Sequence, residues 1–280
     1  MANIGLVGYG VVGKAVGDAF QETIPTNKIL FYDKFKKSNT LEEVVSQSDV
    51  TFVCVPTPYN NSTRRFDSNC VDDAMFNINS VYTDNKPLIV IKSTVIPGTT
   101  MRYIGEYPKM NICFNPEFLT EKSPKDDFIN AERQLIGAEN IKSAAYLTQL
   151  YLDNFFNVPV YIGNPTEIEL IKYITNAFLA TKVTFANEIY DLCKVLGLNY
   201  ANVKQLFVQD KRIGETHLDV TPERGFGGKC LPKDTMSLVG LMEDLGVDSK
   251  LLDAVLDKNN KIRKVYDWED IPGAMTHLES

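Results

Sequence analysis

Residues 3–7 form a short apolar run that breaks at Gly8-Tyr9-Gly10-Val11-Val12-Gly13 and resumes as a helical pattern ending near residue 20. Strand, glycine-rich turn and helix in that order constrain the fold strongly, because each glycine meets a separate steric need. Gly8 makes the tight turn, Gly10 lets a pyrophosphate approach, and Gly13 lets helix pack on strand, while the helix N–H groups face the phosphates. A second strand at 28–32 ends in Asp33, where a carboxylate accepts hydrogen bonds from an adenosine ribose. The pattern predicts a dinucleotide-binding α/β domain, with Gly8, Gly10, Val11, Val12, Gly13 and Asp33 against the cofactor. An acid at this turn favours NAD over NADP. Lys34, Lys36 and Lys37 crowd the same turn and leave two readings open, attraction of a 2′-phosphate or a solvated loop.

More βα units follow. Residues 41–47 and 141–155 read as helices, and 50–55, 88–91, 110–114, 134–136 and 160–162 as strands. In a parallel sheet the loops after the strands open at the carboxyl edge, where such sheets bind ligands. Thr57 and Thr94 lie in two of these loops and either border the nicotinamide half of a cofactor or form plain turns. The run Asn115-Pro116-Glu117-Phe118-Leu119-Thr120-Glu121 carries two carboxylates, Glu117 and Glu121, which read as acid/base candidates or as surface charges. Residues 59–69 form a polar loop that covers the cofactor or is a surface excursion.

A long helix is expected from Asn164, with Glu167 completing an N-cap signature, Pro165 at the first helical position and Gly197 as the stop. A rod of about 48 Å, apolar over much of its surface, needs extensive partners. A homodimer interface is the expected use. Lys172 and Asn176 stand one turn apart on this helix and share a face, as a donor pair aimed at a substrate oxygen does.

The run Gly225-Phe226-Gly227-Gly228-Lys229-Cys230-Leu231-Pro232-Lys233-Asp234 places one cysteine between a glycine-rich loop and the start of a helix, where a nucleophile sits. The positive helix end and the flanking lysines favour a thiolate, Asp234 opposes it, and Asp234 is expected to cap the helix. The alternative is a small buried hydrophobe. Two further helices, at 235–245 and 249–265, are expected.

Composition narrows the class. At 280 residues with 44% hydrophobic and 23% charged, the chain reads as a globular protein of about two domains. No apolar stretch has the length of a membrane span, so no membrane partner is expected. A net charge of −7 argues against general nucleic-acid binding. Five scattered cysteines with no CxxC pair predict reduced thiols and a cytoplasmic location. Two histidines, His217 and His277, leave little for a metal site, and no metal is expected.

Taken together, GYGVVG at 8–13, VPTP at 55–58, KSTVIPGT at 92–99, NPEFLTE at 115–121, EIELIKYITNAFLATKVTFANE at 167–188 and GFGGKCLPKD at 225–234 resemble the UDP-glucose/GDP-mannose 6-dehydrogenase family, in the family's order. The resemblance runs from residue 1 to about residue 262. It implies a Rossmann-like domain over 1–163, an all-α dimerisation domain carrying the catalytic cysteine over 164–265, and a tail over 266–280, without the family's third, nucleotide-sugar-binding domain. It further implies NAD as cofactor and a nucleotide sugar as substrate, UDP-glucose being the common case. The implied catalytic set is Cys230, Lys172, Asn176, Asp234, Glu121 and Thr94. Cofactor contacts extend to Thr57, Thr94 and Lys233, and substrate contacts to Glu117, Phe118, Leu119, Thr120, Glu121, Lys172, Asn176, Gly227 and Arg212, the last across a dimer interface. A two-electron hydroxyacid dehydrogenase of the 6-phosphogluconate dehydrogenase type also joins a Rossmann domain to a long helix, but has no use for Cys230. A binding protein that has lost catalysis is the third reading.

Overall fold

The computed structural model describes residues 1–83, 87–120, 122–156 and 158–276. In chain order the elements are β1 (Asn3–Val7), α1 (Val11–Thr23), β2 (Lys28–Tyr32), α2 (Leu41–Gln47), β3 (Val50–Val53), β4 (Tyr59–Asn60), β5 (Arg65–Phe66), α3 (Asn69–Val81), β6 (Leu88–Ile91), α4 (Thr99–Glu106) and β7 (Ile112–Phe114). Then come α5 (Pro124–Ile129), β8 (Gln134–Gly137), α6 (Ile141–Asn154), β9 (Val160–Gly163), α7 (Pro165–Val195), α8 (Tyr200–Phe207), α9 (Leu231–Asp244), α10 (Lys250–Ile262) and a 3₁₀ turn at Asp267–Glu269. The chain divides into two compact units, residues 1–57 with 67–172, and 58–66 with 173–280.

The first unit is built on a seven-stranded sheet in the order β2-β1-β3-β6-β7-β8-β9. All neighbours are parallel except β7 and β8. Every residue of β3 and β6 is buried, which is why Val50-Thr51-Phe52-Val53 and Leu88-Ile89-Val90-Ile91 read as near-continuous apolar runs: helices cover both faces of a parallel sheet. Phe20 of α1 is fully buried among Phe52, Phe128, Tyr151 and Phe155, with ring centroids 5.1–6.1 Å away. The chain order reverses between β1 and β3, the switch point at which such sheets open a ligand crevice. Thr40 and Glu43 form the capping box of α2.

The second unit is helical apart from the β4–β5 hairpin, which residues 59–66 form where a plain loop was expected. The reason is tertiary: Arg65 of the hairpin holds Asp244 at 2.8 Å and Glu243 at 3.0 Å at the end of α9, contacts far away in sequence. Helix α7 starts and stops on its expected signals. Asn164 N–H donates to Glu167 Oε2 at 3.1 Å, Thr166 N–H to Asn164 Oδ1 at 2.9 Å, and Gly197 takes φ +68° at the end. Helix α9 begins at Leu231, ahead of residue 235, with Pro232 in its first turn as its fixed φ suits. Among the described residues, no helix is long and apolar enough to cross a membrane.

Candidate functional site

The C-terminal ends of β1, β2, β3, β6 and β7 share one edge of the sheet in the first unit. Gly8 follows β1 with φ +90°, and a Cβ on it would lie 2.6 Å from the Cys54 carbonyl oxygen beyond β3. Gly13 is as constrained, since its Cβ would come within 2.1 Å of the Gly8 carbonyl. Gly10, by contrast, faces open space and is the N-cap of α1 with no side-chain acceptor, so the first turn of α1 presents N–H groups outward beside exposed Val11 and half-buried Val12. Asp33 ends β2, and its carboxylate accepts hydrogen bonds from Tyr9 N–H and Phe35 N–H, each at 2.9 Å. These residues fit a dinucleotide: an open anion-binding helix start with a carboxylate hydrogen-bonded to the same glycine turn. Lys34 is paired with Asp73, and Lys36 donates to the Tyr9 carbonyl, so two of the three lysines at this turn are engaged by the chain. Thr57 is buried and Thr94 half-buried in the loops after β3 and β6.

The loop after β7 is held by a buried lysine that sequence reasoning passed over. Lys92, 1% exposed, donates from Nζ to Asn115 Oδ1 at 2.5 Å and to the Asn115 and Pro116 carbonyls at 3.3 Å. Tyr151 OH also donates to Asn115 Oδ1, at 2.6 Å, and Asn115 Nδ2 donates to the Leu135 carbonyl at 2.8 Å. The next residue but one, Glu117, is bound by Lys172: Nζ lies 2.5 Å from the Glu117 carbonyl and 3.2 Å from Oε1, and 5.0 Å from the Phe118 ring centroid. Leu119 N–H closes the turn on Glu117 Oε2 at 2.7 Å, and Thr120 donates to Asp127 at 2.7 and 2.5 Å. Glu121 lies outside the described residues. The only signal for Lys92 was its place at the end of an otherwise apolar strand.

Burial lowers the Lys92 pKa from 10.5 to about 8. With the folded value below the unfolded one, the unfolded chain holds more protons between those two pH values, and stability rises with pH across that window. The stability of the protein relative to a Lys92→Met variant should therefore increase by about 3 kcal/mol from pH 8 to pH 10.5 in urea titrations. A flat difference would mean that burial does not lower the Lys92 pKa.

In the second unit Cys230 is the N-cap residue of α9 and is half-buried, so its thiol stands at the positive end of a 14-residue helix. Asp234 does not cap that helix. It sits one turn in, 1% exposed, with Oδ2 accepting from Asn176 Nδ2 at 2.6 Å and Oδ1 paired with Lys233 Nζ at 2.5 Å. The reason is charge: a buried carboxylate is held by a buried cation and an amide donor rather than by the helix start. The glycine loop ahead of the cysteine is pinned by three side chains. Asn187 Oδ1 accepts from Gly225 N–H at 3.2 Å, Asn259 bonds both the N–H and the carbonyl of Phe226 at 2.7 and 3.0 Å, and Asp267 Oδ2 accepts from Gly228 N–H at 3.0 Å. Asn259 was detectable as a polar residue four positions after buried Val255 on the inner stripe of α10. Arg212 is 88% exposed and bound to Asp210 at 2.5 Å. His217 lies in an exposed loop, and His277 is outside the described residues. Among the described residues, no group of three or more His, Cys, Asp or Glu could hold a metal ion.

Each half of this arrangement has relatives. Residues 26–154 match the NAD binding domain of the UDP-glucose/GDP-mannose dehydrogenase family, and residues 166–261 match its central domain. A UDP-glucose dehydrogenase structure from Pyrobaculum islandicum superposes with a TM-score of 0.83 at 30% identity, over 93% of this chain and 68% of that one. The chain belongs to the UDP-glucose/GDP-mannose dehydrogenase family. A UDP-glucose 6-dehydrogenase of Rickettsia prowazekii is 38% identical over 237 residues, 82% of this chain and 53% of the relative. The chain thus spans about half the length of the curated family members it matches. A 3-hydroxyisobutyrate dehydrogenase from Mycobacterium tuberculosis, 14% identical with a TM-score of 0.74, shares the fold. The family fold is the α/β architecture expected from the sequence, with its NAD-binding domain in the first unit.

Proposed function

We propose that this chain carries out the NAD-dependent oxidation of the C6 hydroxyl of a nucleotide sugar to the carboxylate, with UDP-glucose as substrate. The observation that carries this reading is Cys230 at the N-cap of α9, directly ahead of the buried Lys233–Asp234–Asn176 cluster. A two-electron alcohol oxidation has no need of such a thiol. Oxidation to the acid does, because the intermediate aldehyde must be held between two hydride transfers. UDP-glucose is preferred because it appears in the names of the similar proteins, from Rickettsia prowazekii to Haloferax volcanii.

Bound NAD supplies the hydride acceptor for each oxidation. After the first, Cys230 Sγ bonds to C6 of the aldehyde and gives a thiohemiacetal. Loss of the second hydride from that carbon leaves a thioester, and water adds to it, releasing the carboxylate and returning the thiol. Lys172 and Asn176, one turn apart on α7, are the donors for the oxygen on C6, where a lost donor costs about 10²-fold or more in rate. Asp234, with Thr94 and Glu121, orders the water and its proton. Asp33, Thr57 and Lys233 serve the cofactor, and residues 117–121 with Gly227 the nucleotide sugar. Arg212, exposed in one chain, fits a role in a second copy's site. Leu170, Ile174, Phe178, Phe185 and Leu192 are 40–65% exposed at helical spacing along α7, an apolar stripe suited to a homodimer. Cys54, Cys70, Cys113, Cys193 and Cys230 as reduced thiols suit the reducing cytoplasm.

Incubating purified protein with NAD and UDP-glucose and counting NADH per oxidised sugar tests the reading. Two NADH per UDP-glucuronate are expected. One NADH per product would replace this reading with a two-electron dehydrogenase. Binding of NAD without turnover of UDP-glucose, GDP-mannose or N-acetylated UDP-hexosamines would leave a non-catalytic role.

A further inference from the structure

Beyond residue 261, where the match to the family's central domain ends, the chain does not leave the second unit. It turns back over the glycine loop. Arg263 Nη1 donates to the Arg224 carbonyl at 2.9 Å, and Nη2 pairs with Asp267 Oδ1 at 2.9 Å. The other oxygen of Asp267 accepts from Gly228 N–H at 3.0 Å, two residues ahead of Cys230. Lys229 Nζ donates to the Pro272 carbonyl at 3.1 Å. The fit is close: a Cβ at Gly227 would come within 2.2 Å of both Arg263 Nη2 and Asp267 Oδ1.

The far part of the segment is anchored independently. Trp268, 5% exposed, packs with Tyr59, Ala274 and Met275. Tyr59 N–H donates to the Ala274 carbonyl and Thr276 N–H to the Tyr59 carbonyl, both at 2.9 Å, which adds the segment as a parallel partner of β4. One end is therefore fixed by apolar packing and strand pairing, and the other reaches the cysteine loop through hydrogen bonds at Arg263, Asp267 and the Pro272 carbonyl.

We propose that residues 263–276 form a strap that holds the loop ahead of Cys230 in its working conformation, with Asp267 as the positioning residue. Its consequence for turnover rests on the function proposed above; its consequence for the thiol does not. Removing the Asp267 carboxylate leaves Gly228 N–H without its acceptor and Arg263 without its counter-charge, and the loop opens locally. The anchor at Trp268 leaves the fold in place.

The experiment is alkylation of native protein by iodoacetamide, with modification of each cysteine followed by mass spectrometry. The Cys70→Ser background removes the exposed competitor, while Cys54, Cys113 and Cys193 are buried. Asp267→Ala is expected to raise the Cys230 rate about fivefold or more with the three buried thiols still protected. Asp267→Asn, which keeps an acceptor for Gly228 N–H, should bring the rate back to within about twofold of the parent. In the same variants turnover should fall as the thiol becomes more reactive, with KM for NAD unchanged. An unchanged Cys230 rate in Asp267→Ala overturns the proposal, as does a rise shared with the buried thiols, or an asparagine variant as reactive as the alanine one. If the parent protein turns over no nucleotide sugar but the alkylation results hold, the strap stands and the proposed reaction fails.

Discussion

Cys230→Ala is expected to reduce formation of the acid by about 10³-fold or more while NAD binding is unchanged. The loss is large because, in the proposed reaction, the thiol forms the bond on which the second oxidation depends. Cys230 is half-buried at a helix N-cap; serine there offers a hydroxyl too weakly acidic to serve, so Cys230→Ser should be nearly as inactive. Rapid-quench analysis of the sugar products, beside calorimetry with NAD, separates the steps. Acid formation by the alanine variant at more than about a tenth of the parent rate would remove the cysteine from the mechanism.

The second large effect is structural. Lys233 and Asp234 are 4% and 1% exposed and are paired at 2.5 Å. Asp234→Ala leaves a cation buried without its counter-charge and Asn176 without its acceptor, a change that costs about 3–5 kcal/mol. That is a large share of the roughly 5–15 kcal/mol that holds a domain folded. The variant should unfold at much lower urea, whereas removing both charges together, Lys233→Met with Asp234→Leu, should recover much of the loss. Equal destabilisation by the single and double changes would show that the site, not the unpaired charge, carries the cost.

Much of this was legible in the chain. The strand–GYGVVG–helix unit could be read because its constraints are local: Gly8 needs a left-handed backbone, Gly13 has no room for a Cβ, and Asp33 follows at the end of the next strand. The limits of α7 were readable for the same reason, as Asn164, Glu167 and Gly197 act on their own neighbours. Helices α4, α5 and α8 carry little pattern because they are only six to eight residues long, and α3 is the one element missed despite helical spacing, with Val71, Ala74, Met75 and Ile78 on its buried face.

The sequence by itself determined the α/β class, the dinucleotide turn, the long helix and the cysteine at the head of α9, because each is encoded by residues within a few positions of one another. Only the tertiary structure decided that Asp234 faces Lys233 and Asn176 instead of capping α9, that Lys92 lies buried beneath Asn115, and that Asp267 reaches Gly228. These are matters of burial. A charged or amide side chain removed from water must find a partner, and which partner it finds depends on segments that only the fold brings together.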